Sequence, residues 1–282
     1  MLKDIKPQPE CINSTYGDCD IAVLGIPYDG TTSYRPGTRF GPNAIRNEMY
    51  GLETYSPYLD KDLAEYKICD LGDMEFPFGN RNLVLEDIAK ETKGILDDNK
   101  KVLALGGEHL ISYPVIKEYY SKYEDLVVIH FDAHTDLREE FLGESLSHAT
   151  VMKRVHDFLG NDRIYQFGIR SGTKDEFEFG REHTNLFKFS TDKVSSIVDR
   201  IKNKPLYVTI DLDVLDPSIF SGTGTPEAGG ITFKELMDAL KCLEGLNIVG
   251  GDIVELAPHY DQSGVSTAVA CKVLRELLLI MA

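Results

Sequence analysis

Two carboxylates and one imidazole alternate along the segment Asp132–Asp136, directly after an apolar run. Asp132, His134 and Asp136 stand at positions i, i+2 and i+4. In an extended chain this spacing points the three side chains the same way, and the end of a parallel strand is the usual place for an active site in an α/β sheet. The segment therefore predicts a convergent group of metal ligands or acid–base residues.

Two other segments place the same residue types after apolar runs. Asp211 and Asp213, with Asp216 close behind, follow one run, and the motif Gly106–His109 follows another. An aspartate after a strand is also common as a helix cap or in an Asx turn, and that alternative holds for any one of these residues taken alone. Taken together, they predict ligands from three strand ends.

A site that collects four carboxylates needs cations, because close carboxylates repel one another and raise one another's pKa. Two divalent metals would supply a charge of +4 against four aspartates. Oxygen ligands with two imidazoles and no thiolate favour manganese over zinc and leave iron, cobalt and nickel open. Such a pair holds a bridging water and lowers its pKa, so the residues predict a two-metal hydrolytic site.

Short apolar runs alternate with segments of helical period, which is typical of parallel strands joined by crossover helices. The eight predicted strands are Ile21–Gly25, Lys67–Leu71, Val102–Leu105, Leu126–Phe131, Ile164–Gly168, Asn185–Phe189, Leu206–Ile210 and Ile248–Val254. The predicted helices lie near Asn43–Gly51, Leu83–Asn99, Tyr113–Tyr120, Ala149–Gly160, Lys174–Gly180, Thr191–Lys202, Phe233–Leu243 and Val265–Met281. Thr191 and Thr232 are predicted helix caps, the latter in a capping box with Glu235. No linker or repeat divides the chain, so residues 1–282 are predicted to form a single α/β domain, with a closed barrel and an open sheet both possible.

The charge balance argues against nucleic acid as a partner. The chain has 282 residues, with 46 acidic against 30 basic side chains and a formal net charge of −16, a field that repels phosphate backbones. The five cysteines are scattered and show no metal-ligand spacing, which indicates reduced core thiols in a cytoplasmic protein. Neither a targeting segment nor a membrane-spanning segment is predicted.

Several long motifs resemble those of the ureohydrolase family, which includes arginases and agmatinases. The three signature motifs match Gly106–His109, Asp132–Asp136, and Ser221–Gly230 after Asp211–Pro217. The likeness extends to the segments 28–46 and 252–263, which resemble agmatinases more than arginases. The resemblance implies a three-layer αβα fold with a mainly parallel eight-stranded sheet, two Mn²⁺ ions per chain, and hydrolysis of a guanidino group to urea and an amine. It also implies a homo-oligomer, a trimer or a hexamer.

The resemblance assigns the ligands position by position. One manganese would be bound by His109, Asp132, Asp136 and Asp211, and the other by Asp132, His134, Asp211 and Asp213. His148 matches the family's proton-shuttle histidine and Glu255 the carboxylate that binds the guanidinium. The predicted catalytic residues are thus His148, Glu255 and Asp136, and His148 and Glu255 are also predicted to bind the substrate. A capping or surface role for His148 and a buried salt bridge for Glu255 are the structural alternatives, and His130 is predicted to be a hydrogen-bonded core imidazole.

The segment between the Asp132–Asp136 motif and His148 bears on the substrate. It is short and acidic, with Glu139, Glu140 and Glu144 beside two large apolar residues, as expected for a polymethylene chain that ends in an amine. Agmatine, cleaved to putrescine and urea, is therefore the predicted substrate. Arg138 keeps a guanidino acid such as guanidinobutyrate, or arginine, as the alternative. Two other classes remain: a catalytically idle metal-binding protein, and a single-zinc deacetylase with the same general fold.

Overall fold

The computed structural model describes residues 12–282. The ten strands are β1 (Ile21–Ile26), β2 (Tyr55–Ser56), β3 (Lys61–Asp62), β4 (Ile68–Asp73), β5 (Lys101–Gly106), β6 (Val127–Phe131), β7 (Ile164–Ile169), β8 (Asn185–Lys188), β9 (Leu206–Asp211) and β10 (Ile248–Val254). The eight α-helices are α1 (Gly41–Glu48), α2 (Arg81–Asp97), α3 (Ser112–Lys122), α4 (Val151–Leu159), α5 (Lys174–His183), α6 (Val194–Ile201), α7 (Phe233–Lys241) and α8 (Val265–Met281). Cys11, one of the five cysteines predicted to be reduced core thiols, lies outside the described residues. So does most of the N-terminal segment, in which no targeting signal is predicted.

Eight strands form one open, wholly parallel sheet in the order β4-β1-β5-β10-β9-β6-β7-β8. Most of its strands are buried along their whole length, which is why they appear in the sequence as continuous apolar runs and not as an alternating pattern. All eight predicted strands are present, with ends shifted by at most two residues. The sheet has two edges, so the open arrangement is the correct one of the two that the sequence left possible. The small β2–β3 hairpin was not predicted.

Helices cover both faces of the sheet and bury one apolar core on each. In β1, Ile21 and Val23 point into the core that includes α6, α7 and α8, whereas Ala22 and Leu24 point into the core formed with α2, α3 and α4. Alternate side chains of one strand thus serve opposite layers, as the period of two requires. The predicted three-layer αβα class is confirmed.

The helix caps are only partly as predicted. Thr232 and Glu235 form the predicted capping box at the start of α7. Thr191 is not a cap, because α6 begins only at Val194 and the Thr191 hydroxyl instead donates to the carbonyl oxygen of Glu235 (3.2 Å). A second capping box, Thr173 with Glu176 before α5, was missed.

The described cysteines form no disulfide, and Cys19, Cys69 and Cys271 are buried, while Cys242 is half-buried. None of the helices in residues 12–282 combines the length and the apolar character that crossing a bilayer requires.

The order of the sheet explains why separate motifs meet. Strands β5, β10, β9 and β6 are consecutive neighbours at its centre. Because the strands are parallel, their carboxyl ends lie along one edge of the sheet, where ligands bind in such folds. His109 follows β5, Glu255 follows β10, Asp211 ends β9 and Asp132 follows β6. The topology thus brings the candidate residues to one place.

Candidate metal centre

The segment after β6 carries three candidate ligands on a backbone that is extended only in part. Asp132 follows the strand directly, and its Oδ1 accepts a hydrogen bond from the backbone N–H of His134 (2.5 Å). Asp136 has a left-handed φ of 52°, which is uncommon for a residue with a side chain. The extended geometry predicted from the i, i+2, i+4 spacing is therefore wrong at Asp136, although its carboxylate still lies beside the His109 ring.

Asp211 and Asp213 converge through a tight turn and not through an extended strand. Asp211 ends β9, and the 3-10 turn Leu212–Val214 follows at once. The Asp211 Oδ1 accepts a hydrogen bond from the backbone N–H of Asp213 (2.9 Å). The turn places both carboxylates at the carboxyl edge of the sheet although they lie two residues apart.

Asp216 does not join this group. Its carboxylate accepts hydrogen bonds from the backbone N–H groups of Ser218, Gly229 and Gly230 at 2.9–3.0 Å. A hydrogen bond from the Ser218 side chain, together with these backbone bonds, lowers the pKa of Asp216 to about 2. The Asx-turn alternative is correct here: Asp216 closes the glycine-rich loop.

A first group of potential ligand atoms surrounds the ring of His109, which is buried. Its Nδ1 lies 3.1 Å from Asp132 Oδ2, 3.2 Å from Asp136 Oδ2 and 3.3 Å from Asp211 Oδ2. None of these contacts has hydrogen-bond geometry, so a buried ring nitrogen faces three carboxylates without a partner. Burying a polar atom in this state is costly unless a bound group satisfies it. A divalent metal ion fits this donor set.

A second group lies beside the first and shares Asp132 with it. His134 Nδ1 is 3.0 Å from Asp213 Oδ2 and 3.5 Å from Asp132 Oδ1. Potential ligand atoms of Asp132, His134 and Asp213 lie within 4.8 Å of one another. The two oxygens of Asp132 therefore face different groups, as a carboxylate that bridges two metals would.

The orientation of the His109 ring is fixed from behind by two residues that the sequence analysis missed. His109 Nε2 lies 2.9 Å from the Thr209 hydroxyl, which lies 2.6 Å from Asp252 Oδ1. The hydroxyl has one proton, which it donates to the carboxylate, so it accepts from the imidazole. Nε2 therefore carries a proton, which leaves Nδ1, the nitrogen that faces the carboxylates, as the ring atom that could bind a metal.

His130 holds Asp132 from the opposite side. Its Nε2 lies 2.8 Å from Asp132 Oδ2. The Gln166 side-chain amide donates to the Thr135 carbonyl oxygen (2.8 Å), so its NH₂ group also faces His130 Nδ1 at 3.1 Å. Nδ1 is therefore an acceptor, and the ring proton on Nε2 is donated to Asp132. The predicted role of His130 as a hydrogen-bonded core imidazole is confirmed, although its Nε2 also lies among the potential ligand atoms of the first group.

The protonation of the carboxylates shows the electrostatic cost of this cluster. Burial and the neighbouring charge of Asp132 raise the pKa of Asp136 to about 6. Burial, Asp213 and Asp132 likewise raise the pKa of Asp211 well above its usual value. Burial opposes ionisation of Asp132 too, but the adjacent imidazoles outweigh it and hold its pKa well below the usual value. Bound cations would relieve this repulsion.

A cavity of about 270 Å³ opens beside the two groups, and His148 lies in its wall. The His148 ring is perpendicular to Phe141, with centroids 5.6 Å apart, and its nitrogens lie 3.4 Å from the hydroxyls of Thr31 and Ser33. Burial, together with the imidazole of His134, lowers the pKa of His148 to about 4. The ring is therefore neutral at pH 7 and can take up a proton only transiently.

Glu255 also lines the cavity and has an unusual backbone conformation. Its φ is 67°, and its Oε1 accepts a hydrogen bond from the backbone N–H of His109 (2.9 Å). Burial and the charges of Glu108 and Asp213 raise its pKa well above the usual value. In the described residues no basic side chain pairs with Glu255, so the structure does not support a buried salt bridge.

Glu108, in the same motif as His109, has a different task. Its buried carboxylate accepts hydrogen bonds from the hydroxyls of Thr31 (2.6 Å) and Thr32 (3.0 Å). Glu108 therefore anchors the segment after β1, which carries Ser33 into the cavity wall, and does not join the ligand groups.

The acidic segment before His148 does not face the cavity with its glutamates. Glu139 pairs with Arg154 (2.7 Å) and Lys153 (3.1 Å), and Glu144 pairs with Arg81 (2.6 Å). Glu140 is exposed and lies outside the cavity wall. The prediction that these carboxylates attract the distal amine is therefore wrong. The segment instead contributes Arg138 and Phe141 to the wall.

Arg138 is held in place at the cavity wall. Its guanidinium carbon lies 4.6 Å from the centre of the Phe141 ring, and its Nε is 3.3 Å from Glu176 Oε2. The Glu176 carboxylate also accepts from the Thr135 hydroxyl (2.7 Å) and from the backbone N–H of Thr173 (2.7 Å). The two charges offset each other at the cavity wall.

Known proteins share this architecture over nearly the whole chain. The family model described as the arginase family matches residues 19–280. An agmatinase of Bacillus anthracis is 48% identical over 269 residues, with 94% of this chain and 93% of the relative covered. The crystal structure of the Thermoplasma volcanium agmatine ureohydrolase has a TM-score of 0.88 at 29% identity, over 99% of this chain and 95% of that one. The mitochondrial guanidino acid hydrolase of Homo sapiens is 32% identical, over 96% of this chain and 85% of the relative.

Proposed function

The chain belongs to the arginase family, and from this premise we propose that it is a metal-dependent agmatinase, which hydrolyses agmatine to putrescine and urea. The observation that carries the proposal is the pair of adjacent ligand groups that share Asp132. Each combines carboxylates with imidazole, and both open into the same cavity. A catalytically idle protein would have no need for this strained, mutually repelling arrangement.

We assign the ligands of two Mn²⁺ ions to these groups. His109, Asp132, Asp136 and Asp211 would hold one ion, and Asp132, His134, Asp211 and Asp213 the other. The four aspartates supply oxygen ligands, and the His109 Nδ1, which has no hydrogen-bond partner, supplies a nitrogen. A ligand set of mainly oxygens without a thiolate suits manganese better than zinc. When bound, such a pair supplies Lewis acidity and an activated water at neutral pH. The lack of thiolates and the number of aspartates also argue against a single-zinc deacetylase.

Glu255 would bind the guanidinium of the substrate. A carboxylate accepts two parallel N–H bonds from such a planar fork. The burial that raises the Glu255 pKa makes the site favour an incoming cation, because the cation compensates the ionised carboxylate. The positive φ of Glu255 turns its carboxylate back toward the His109 backbone and thereby fixes its direction.

His148 would deliver a proton to the departing amine. Cleavage of a C–N bond otherwise expels a strongly basic anion, and a positioned acid contributes about 10²- to 10⁴-fold in rate. With a pKa of about 4, His148 is neutral at rest, and once protonated it gives the proton up readily. The hydroxyls of Thr31 and Ser33 hold the ring at the cavity wall during this exchange.

A guanidino acid is the second candidate substrate, and Arg138 is the observation that favours it. A cation in the cavity wall would attract a distal carboxylate and repel a distal ammonium. Its pairing with Glu176 offsets that preference, which leaves agmatine as the favoured substrate.

Urea release from agmatine, guanidinobutyrate and arginine, measured on the protein loaded with Mn²⁺, tests the proposal. We expect the highest kcat/KM for agmatine. The variant Arg138→Ala separates the candidates, because it should spare agmatine turnover but reduce that of a guanidino acid. Guanidinobutyrate as the best substrate would replace agmatine with the second candidate, and no urea from any of the three would refute a ureohydrolase function. The same assay with Fe²⁺, Co²⁺, Ni²⁺ and Zn²⁺ tests the metal.

We further propose that residues 1–282 form one domain, that the enzyme acts in the cytoplasm to form putrescine for polyamine synthesis, and that it assembles into trimers or hexamers. Light scattering of the purified protein tests the assembly.

A further inference from the structure

Arg170 follows β7, and its side chain donates hydrogen bonds to backbone carbonyl oxygens and not to a carboxylate. Its Nη2 donates to the carbonyl oxygens of Asp213 (2.7 Å) and Glu227 (2.8 Å). Its Nη1 donates to those of Val214 (3.1 Å) and Gly168 (3.2 Å). No acidic side chain between residues 12 and 282 forms an ion pair with this half-buried guanidinium. An arginine that binds only carbonyl oxygens joins segments of chain.

The side chain of Arg170 connects two segments that contact the second ligand group. One is the 3-10 turn Leu212–Val214, which carries Asp213. The other is the glycine-rich loop that contains Glu227 and Thr225, and the Thr225 hydroxyl donates to Asp213 Oδ2 (3.1 Å). Both the backbone and the carboxylate of Asp213 are therefore positioned through segments that Arg170 binds.

The backbone of Arg170 connects the same residue to His134. The N–H groups of Arg170 and Ser171 donate to the carbonyl oxygen of Ala133 at 2.8 and 2.9 Å. Ser171 and His134 also form a single parallel β-bridge outside the strands of the sheet. The main chain of Arg170 thus contacts the segment next to His134, and its side chain contacts the turn that carries Asp213.

We propose that Arg170 is a positioning residue that sets the distance between His134 and Asp213, and that it thereby controls metal binding at the second group alone. His109, in the first group, is held independently by Thr209 and by Glu255. Neither of those bonds involves an atom that the Arg170 side chain contacts. This inference rests on the proposed pair of metal ions.

Lysine cannot replace arginine in this role. A guanidinium presents five donors in a planar fork, whereas an ammonium presents three donors from one atom. The carbonyl oxygens bound by Arg170 belong to three separate segments, and a single nitrogen cannot reach all of them. The space around the guanidinium is also tight, because a Cβ atom added at Gly230 would lie 2.7 Å from Arg170 Nη2.

The experiment compares Arg170→Lys with wild-type protein in Mn²⁺ titration calorimetry and in electron paramagnetic resonance at full Mn²⁺ loading. Wild type is expected to bind two ions and to show the signal of an exchange-coupled pair. In Arg170→Lys one ion should bind as in wild type and the other about 10- to 100-fold more weakly, the usual effect of losing a residue that supports ligands. The signal of isolated Mn²⁺ should then persist until a large excess is added, at which point the coupled signal returns.

Arg163→Lys is the matched control. Arg163 precedes the other end of β7 and also donates to a backbone carbonyl oxygen, that of Glu124. It lies far from the carboxyl edge, so both metals should bind to this variant as in wild type.

Wild-type affinity for both ions in Arg170→Lys would refute the positioning role, as would an equal loss at both groups. If wild-type protein binds only one ion, the proposed metal pair fails and this inference with it. Arg170→Gln, compared by circular dichroism, is the second variant if the lysine variant does not fold. Failure of both to fold would show that Arg170 supports the whole fold and not one metal site.

Discussion

At the scale of single residues, the site depends on which atom of each side chain faces the metals. Asp132 shows this best: His130 donates to one of its oxygens and the backbone of His134 to the other. Together these two hydrogen bonds fix the direction of the carboxylate. Gln166 fixes the tautomer of the His130 imidazole and thereby keeps Nε2 as the donor to Asp132.

His148→Ala should lower kcat for agmatine by about 10²- to 10⁴-fold, the usual contribution of a positioned acid. Metal content should not change, because His148 lies outside both ligand groups. Rate assays with and without added imidazole, together with metal analysis, check this. Partial rescue by imidazole is expected; an unchanged kcat would exclude the proton-delivery role.

The burial of His148 should also appear in the pH dependence of stability. Its pKa is about 4 in the folded protein against an ordinary 6.5, so the unfolded chain binds the proton first as the pH falls. The free energy of unfolding should therefore decline between pH 6.5 and pH 4 through this group. His148→Asn should lack that part of the decline. Urea unfolding of both proteins across this range measures the difference, and parallel curves would contradict the lowered pKa.

The candidate ligand residues could be found in the sequence because they lie in contiguous motifs, whereas the residues that orient them could not. Thr209 and Asp252 are cross-strand partners in the β9–β10 register, and so are His130 and Gln166 in the β6–β7 register. Register is set by the whole sheet and not by the local pattern. The left-handed backbone conformation of Asp136 likewise could not be predicted from the spacing of the neighbouring residues.

At the scale of elements, the apolar runs predicted the positions of the strands, but not the partners of the loop side chains. The segment 137–144 illustrates the difference. Its acidity suggested a site for a cationic group, yet Lys153 and Arg154 in α4 and Arg81 in α2 neutralise its charges from outside the cavity. Those partners belong to helices whose packing against the loop no local pattern reveals.

Replacing Glu139, Glu140 and Glu144 together by glutamine should leave the preference for agmatine over arginine unchanged. None of the three carboxylates lines the cavity, and exposed charges are screened within about 8 Å at physiological salt. Stability should fall by at most about 1 kcal/mol for each lost surface ion pair. The kcat/KM ratio for the two substrates is the measurement, and Glu176→Gln is the comparison variant because Glu176 does line the cavity. A relaxed preference in the triple variant would restore the loop as the selector.

At the scale of the whole molecule, the metals and the fold should support each other. The candidate ligands come from three different strand ends, so bound metal connects β5, β6 and β9. Ligands that bind only the folded state stabilise it by about 2.7 kcal/mol per site at a hundredfold excess over Kd. Removal of metal with EDTA should therefore lower the Tm markedly, and added Mn²⁺ should restore it. Scanning calorimetry checks this, and identical Tm values with and without metal would count against the centre.

The place of β10 in the sheet has a consequence for biosynthesis. It is the last strand of the chain, yet it lies in the middle of the sheet, between β5 and β9. On the ribosome, β1, β4 and β5 can pair, and so can β6 to β9, but the two half-sheets have no strand in common until residues 248–254 emerge. His109 belongs to the first half and the aspartates to the second, so the first ligand group is completed late. Until then the nascent chain exposes two apolar strand edges, the kind of surface that chaperones protect from aggregation.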